Sequence, residues 1–341
     1  MLNIKNEGII LEKTDLNFES KGVFNPACIK TGNTTHMFYR AMSMDDISSI
    51  GYCKIKDNKK IIKKMDKPLL FPEYEYEKNG VEDPRIVFIK DKYYMTYTAF
   101  DGKNALIAYA TSKDLVHFKK QGIISPLLTY KGAGNILKIT NSWEKYAYYQ
   151  RIYEKVFGKD VLIWDKDACL FPKKINGRYA LLHRIFPNIQ ISYFEDFSQL
   201  NKDYWIDYLK KLDQYTVLEP ISSFENEYVG AGCPPIETSQ GWLLIYHCAE
   251  HSKGKRIYHG GAALLDTSNP LKVTARLKTP LFSPKEKWEK IGNINDVVFP
   301  TGAVIDNGML YIYYGAADKM IALKSIKLDN LLEELIRKKH I

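Results

Sequence analysis

The 341-residue sequence predicts an all-β protein: a five-bladed β-propeller with a short C-terminal helix. Three observations carry that prediction. One pattern recurs five times along the chain, strand-like alternation fills the intervals, and helical periodicity is confined to a few stretches.

The recurring pattern is clearest at residues 80–101, GVEDPRIVFIKDKYYMTYTAFD. A small or polar start, usually with a proline, leads into a short apolar strand. A Gly/Asn/Asp/Lys turn follows, then a second strand rich in aromatics. The same order appears at residues 22–41 (GVFNPACIKTGNTTHMFYRA), 165–185 (DKDACLFPKKINGRYALLHRI), 230–249 (GAGCPPIETSQGWLLIYHCA) and 295–318 (NDVVFPTGAVIDNGMLYIYYGAAD). With Asn25, Asp83, Asp167, Cys233 and Asp296 as markers, the successive gaps are 58, 84, 66 and 63 residues. Such gaps suit four strands per repeat, and ALIAYATS (105–112) and GGAALLDT (260–267) supply further strand material.

The long second gap leaves room for an insertion at about 141–160 (NSWEKYAYYQRIYEKVFGKD) in the third repeat. Residues 196–215 read as a loop with a helical turn. Residues 328–339 carry apolar positions at helical spacing and basic residues near the end, which predicts a closing helix. The whole chain, 1–341, therefore reads as one domain.

Composition narrows the function classes. A hydrophobic share of 45% and a charged share of 26% are those of a soluble globular protein. The net charge of +9 comes largely from mixed runs such as KIKDNKKIIKKMDK (54–67), read as a solvated loop face and not a nucleic-acid track. Five cysteines without CxxC spacing argue against a disulfide framework or zinc site. His251 and His259 have Lys253, Lys255 and Arg256 between them, so no metal is expected there. The N-terminus mixes charges into its apolar stretch, unlike a signal peptide, and no apolar run is long enough to span a bilayer. The expectation is a cytoplasmic protein.

In a propeller the innermost strands line a central funnel, so one polar residue per repeat can converge on a point. Asn25, Asp83, Asp167 and Asp296 are placed for such a ring, while Arg40, Arg184, His247 and Asp318 follow the second strands. Arginine at the end of an apolar strand implies an anionic or polar partner. Glu82, next to Asp83, is expected to face the opposite way and to pair with Arg85.

GVEDPRI, FNPACI with FYRA, DACLFPKKINGRYALLHR, GAGCPPIETSQGWLLIYH and VVFPTG with LYIYYGAAD together resemble glycoside hydrolase family 130, the β-mannoside phosphorylases. The resemblance extends from about residue 20 to about residue 330. It implies inverting attack by inorganic phosphate on a terminal β-mannosyl residue, with β-1,2-linked mannobiose or short oligosaccharides as the expected substrates. The product would be α-mannose 1-phosphate, and no cofactor is implied beyond phosphate as co-substrate. Asp83 matches the proton donor, which in that family acts through the 3-hydroxyl of the mannosyl ring. Lys166, Arg184, His247 and Tyr228 fall at phosphate-site positions, and Asn25, Arg40, Tyr258 and Asp318 at mannosyl-site positions.

Tyr228 in FENEYVGAG stands where many phosphorylases carry a basic residue, with Glu225 and Glu227 just before it. A carboxylate able to deprotonate water would make the chain a β-1,2-mannosidase, with Glu225 or Glu227 as base. A non-catalytic glycan-binding propeller is the third reading, since this fold hosts binding modules as well as enzymes. The expected partners are a small carbohydrate and phosphate, without nucleic acid or membrane. The insertion and the C-terminal helix offer surfaces for homo-oligomer contacts.

Overall fold

The computed structural model describes residues 2–337. It is built mainly of antiparallel strands in several sheets. After β1 (Lys5–Leu11), a first unit comprises β2 (Gly22–Thr31), β3 (Thr34–Met42), β4 (Ser48–Lys56) and β5 (Lys60–Lys64). A second holds β6 (Gly80–Ile89), β7 (Lys92–Phe100), β8 (Ala105–Ser112) and β9 (Lys119–Ile123). Only one parallel pair, Ser48 with Gly80, joins these two meanders into a single sheet.

Helices α1 (Tyr130–Leu137) and α2 (Trp143–Phe157) precede the third unit. That unit runs through β10 (Lys166–Leu170), β11 (Tyr179–Arg184), β12 (Ile189–Phe194), α3 (Lys202–Leu209) and β13 (Thr216–Leu218). The fourth contains β14 (Tyr228–Ala231), β15 (Ile236–Thr238), β16 (Gly241–Ser252), β17 (Lys255–Leu265) and β18 (Val273–Arg276). After α4 (Lys287–Lys290), the last unit has β19 (Val298–Asp306), β20 (Met309–Ala316) and β21 (Met320–Lys327), followed by α5 (Leu328–Arg337). Its fourth strand is β1, which pairs antiparallel with β21.

Strand alternation explains how the units pack. Neighbouring side chains on a strand point to opposite faces. Met37 and Phe38 therefore enter two different apolar clusters, as do Leu181 and Leu182, and Leu243 and Leu244. Each of the five clusters is shared by two consecutive units, and the fifth joins the last unit to the first through Tyr313, Leu323, Met37 and Tyr39.

Several expectations change in detail. The 54–67 lysine run is mostly a hairpin, β4–β5, turned by Asp57 and Asn58 at positive φ. The insertion is helical and begins earlier, at Tyr130. On α2, Trp143, Tyr146, Tyr153 and Phe157 recur at helical spacing and pack against the cluster between the second and third units. The 196–215 segment contains α3, whose N-cap Asn201 accepts hydrogen bonds from the amides of Asp203 and Tyr204. Helix α5 begins at Leu328 as expected, while residues 338–339 of the anticipated helix lie outside the described residues. Among the described residues no helix is long and apolar enough to cross a membrane, and all five cysteines are buried and free.

Candidate active site

A local device repeated on the first strands builds the site. Asn25, Asp83 and Asp167 adopt φ of +49°, +49° and +55°, and the strand register slips at each of them. An irregularity of this kind interrupts alternation and re-aims side chains. Asn and Asp tolerate the left-handed region better than bulkier residues.

Here it delivers one polar group per strand to a cavity of about 330 Å³. Eight of the nine expected site residues line this cavity: Asn25, Arg40, Asp83, Lys166, Arg184, Tyr228, Tyr258 and Asp318. The ninth, His247, is fully buried and does not line it. Asp296 also stays out. It uses its carbonyl to accept from the Tyr258 amide at 2.9 Å, and Asp318, in the turn after β20, is the last unit's acid.

Around Asp83, Asn25 Nδ2 donates to Oδ1 at 2.8 Å and Arg40 Nη1 approaches the same oxygen at 3.5 Å. Gly315 makes room for this contact, because a Cβ there would lie 2.2 Å from Asn25 Oδ1. Burial raises the Asp83 pKa, but Arg40, Lys166, Arg85 and the Asn25 hydrogen bond outweigh it and hold the carboxyl below its ordinary value. Asp318 shows the opposite balance. Burial, assisted by Asp83 and Glu82 and opposed by Arg40 and Lys166, pushes it up to about 6.

Glu82 does not behave as the alternation rule predicts. Both it and Asp83 line the cavity, because the positive φ at Asp83 breaks the alternation between them. Glu82 Oε1 accepts from Arg40 Nη2 at 2.7 Å, and its Oε2 lies 3.8 Å from Lys166 Nζ. Arg85 is spent elsewhere. Buried to 1% exposure, it donates to the carbonyls of Gly232, Asp83 (3.0 Å), Pro84 (3.1 Å) and Ala231 (3.4 Å), tying β6 to the start of the fourth unit.

The opposite wall is cationic and aromatic. Arg184 lies between the rings of Phe186 (4.1 Å) and Tyr228 (4.6 Å), with Nε 2.9 Å from Asp167 Oδ2. Tyr228 donates its hydroxyl to Tyr258. Behind them, His247 Nε2 lies 3.4 Å from Asp167 Oδ2 and 3.5 Å from Arg184 Nη1, and the ring packs 4.0 Å from Phe299. Burial lowers the His247 pKa against the pull of Asp167, so the ring is neutral at neutral pH. Burial also works to raise Asp167, yet Arg184 and His247 hold it well below the carboxylate range.

Sequence reasoning left Glu82, Phe100 and Trp164 out of the site, and placed Asp167 in the converging ring without giving it a role. Asp167 had a usable signal, since it marks the repeat beside Lys166. The two suggested hydrolytic bases are not at the cavity. Glu225 is fully buried and paired with Arg276, and Glu227 is engaged by Arg256. Among the described residues no cluster of three or more His, Cys, Asp or Glu is placed to hold a metal ion.

Acids, fixed cations and aromatic walls around one small cavity are the equipment of a carbohydrate-active enzyme. The chain belongs to glycoside hydrolase family 130: the family described as beta-1,4-mannooligosaccharide phosphorylase matches residues 6–337. A 1,2-beta-oligomannan phosphorylase from Thermoanaerobacter sp. (strain X514) is 34% identical over 96% of this chain and 97% of its own. A beta-1,2-mannobiose phosphorylase from Listeria innocua is 32% identical over 98% of this chain and 81% of its own. In structure, the chain resembles the Listeria innocua beta-1,2-mannobiose phosphorylase in complex with beta-1,2-mannobiose. The TM-score is 0.73, with 24% identity over 98% of this chain and 99% of that one.

Proposed function

We propose that the chain is an inverting phosphorylase of terminal β-mannosides, acting on β-1,2-linked mannobiose or short oligomannosides. It would release α-mannose 1-phosphate, and the reaction is reversible. Asp83 is the proton donor, with Asn25, Arg40, Tyr258 and Asp318 around the mannosyl ring. Lys166, Arg184 and Tyr228 face the phosphate, and His247 supports Asp167 and Arg184 from behind. The linkage follows the relatives at 34% and 32% identity. The five units are read as the blades of one propeller, with β1 completing the last blade beside β21.

One observation carries phosphorolysis over hydrolysis. Lys166 and Arg184 line the same cavity as Asp83, while Glu225 and Glu227 stand outside it, each bound to an arginine. Phosphate arrives as an anion and needs cations to hold it in place more than it needs a base.

The test is turnover of β-1,2-mannobiose with and without inorganic phosphate, following mannose and mannose 1-phosphate separately. One equivalent of each, strictly dependent on phosphate, is expected. Two equivalents of mannose without phosphate would make the chain a mannosidase. Binding without turnover across a mannoside panel would make it a glycan-binding protein.

A further inference from the structure

The cavity holds more acid than base. Glu82, Asp83, Asp167 and Asp318 line it against Arg40, Lys166 and Arg184. Each cation already has a carboxylate: Arg40 has Glu82 and Asp83, Lys166 has Glu82, and Arg184 has Asp167. With all four acids ionised, the side chains that line the pocket carry one negative charge more than positive. A phosphate dianion entering such a site meets cations whose charge is already balanced by carboxylates, and repulsion among buried like charges is relieved most simply by a proton.

Three of the four acids, Glu82, Asp83 and Asp167, have a direct ion-pair partner. Asp318 has none, for its carboxylate makes no hydrogen bond or ion pair with the described residues. The charged and titratable groups facing it are Arg40 from β3, Glu82 and Asp83 from β6, Lys166 from β10 and Tyr258 from β17.

Resting on the phosphorylase reading, we propose that Asp318 takes up one proton as the phosphate dianion enters and releases it when the glycosyl phosphate leaves. Asp318 is then more than a sugar contact: it sets the charge of the pocket at each stage of the cycle. The proton balance closes. Hydrogen phosphate and a β-mannoside yield mannose 1-phosphate dianion and a free hydroxyl, so the phosphate's hydrogen ends on the departing oxygen. The proton borrowed by Asp318 returns to solvent with product release. Protonated Asp318 also stops repelling Asp83, which must regain a proton before it can donate one.

The experiment is calorimetric titration of the whole protein at pH 7.5 with inorganic phosphate, in buffers of different ionisation enthalpy. Sulfate, which stays a dianion, serves as the control anion. The expected result is an uptake of about one proton per sulfate and of roughly two-thirds of a proton per phosphate, since roughly a third of free phosphate is the monoanion at this pH and gives up its proton on binding as the dianion. Asp318→Asn should reduce it to below about a third of that. Unchanged uptake in the variant, or no uptake in the parent, overturns the proposal, as does failure of both anions to bind. Should the variant not fold, the parent's sulfate Kd decides: it should weaken close to tenfold from pH 7 to pH 8, and a flat profile refutes the idea. Because no sugar is present, a negative result leaves phosphorolysis standing. Proton-linked anion binding without phosphate-dependent turnover would instead remove the phosphorylase reading.

Discussion

Arg184 admits two explanations, and a mutant cycle separates them. Either it holds phosphate, or it only neutralises the buried Asp167, 2.9 Å away. Arg184→Ala removes a hydrogen bond to an anion, worth about 1.5–3 kcal/mol when charge-assisted. At 1.4 kcal/mol per factor of ten, kcat/KM for phosphate should fall roughly 10- to 150-fold. The KM for mannobiose should move less than about threefold, because the mannosyl contacts proposed above are Asn25, Arg40, Tyr258 and Asp318. The variant also strands Asp167, whose negative charge would repel phosphate further. Asp167→Asn in the same chain removes that penalty, so the double variant should recover part of the loss, about tenfold or less. Steady-state kinetics with each substrate varied in turn reads all of this. A double variant with parental phosphate kinetics would show that Arg184 serves only Asp167. An equal loss on both substrates would show a structural role.

Four further outcomes are expected. Asp83→Asn should lower kcat by at least about 10²-fold with an unchanged circular dichroism spectrum, and parental turnover would remove the donor assignment. Gly315→Ala should push Asn25 off Asp83 and cost about 100-fold in kcat/KM, measured on mannobiose. Arg85→Met leaves buried carbonyls of two units without a donor and should lower unfolding stability by about 3 kcal/mol in urea. A loss under about 1 kcal/mol would contradict the tie described for it. Asp318, raised in the fold, opposes folding once ionised, so its cost grows as pH rises from about 4 through 6. Asp318→Asn should therefore raise Tm at pH 8, with a gain that shrinks towards pH 4; a pH-independent difference would show that Asp318 titrates normally.

Much of this architecture was legible because strand periodicity is a two-residue rule that five similar segments repeat. The same rule misled at Glu82. Alternation holds only while the backbone stays extended, and at Asp83 φ is +49°. Nothing in the pair Glu-Asp announces that change, although Asn25-Pro26 and Asp83-Pro84 occupy equivalent places in two repeats. Arg85 was misassigned for a related reason: an arginine beside two acids suggests an ion pair, whereas the fold gives it four carbonyls. Helix α2 was missed although Trp143, Tyr146, Tyr153 and Phe157 have helical spacing, because tyrosine favours strands and the surrounding sequence is rich in them. The Arg276–Glu225 pair, 51 residues apart, depends on tertiary placement that no local pattern encodes.

The pairing of β1 with β21 imposes an order on how the protein is made. Lys5 lies opposite Ser325, so β1 waits for β21, synthesised 320 residues later. At roughly 5–20 residues per second, that wait is about 16–64 s. Throughout it the growing chain carries an unpaired edge and an incomplete final unit. Lys5 and Glu7 on that strand, with Glu12 and Lys13 just beyond it, are the kind of charge that discourages wrong partners at an open edge. The ribosome must therefore deliver about 320 further residues before β1 can take its place.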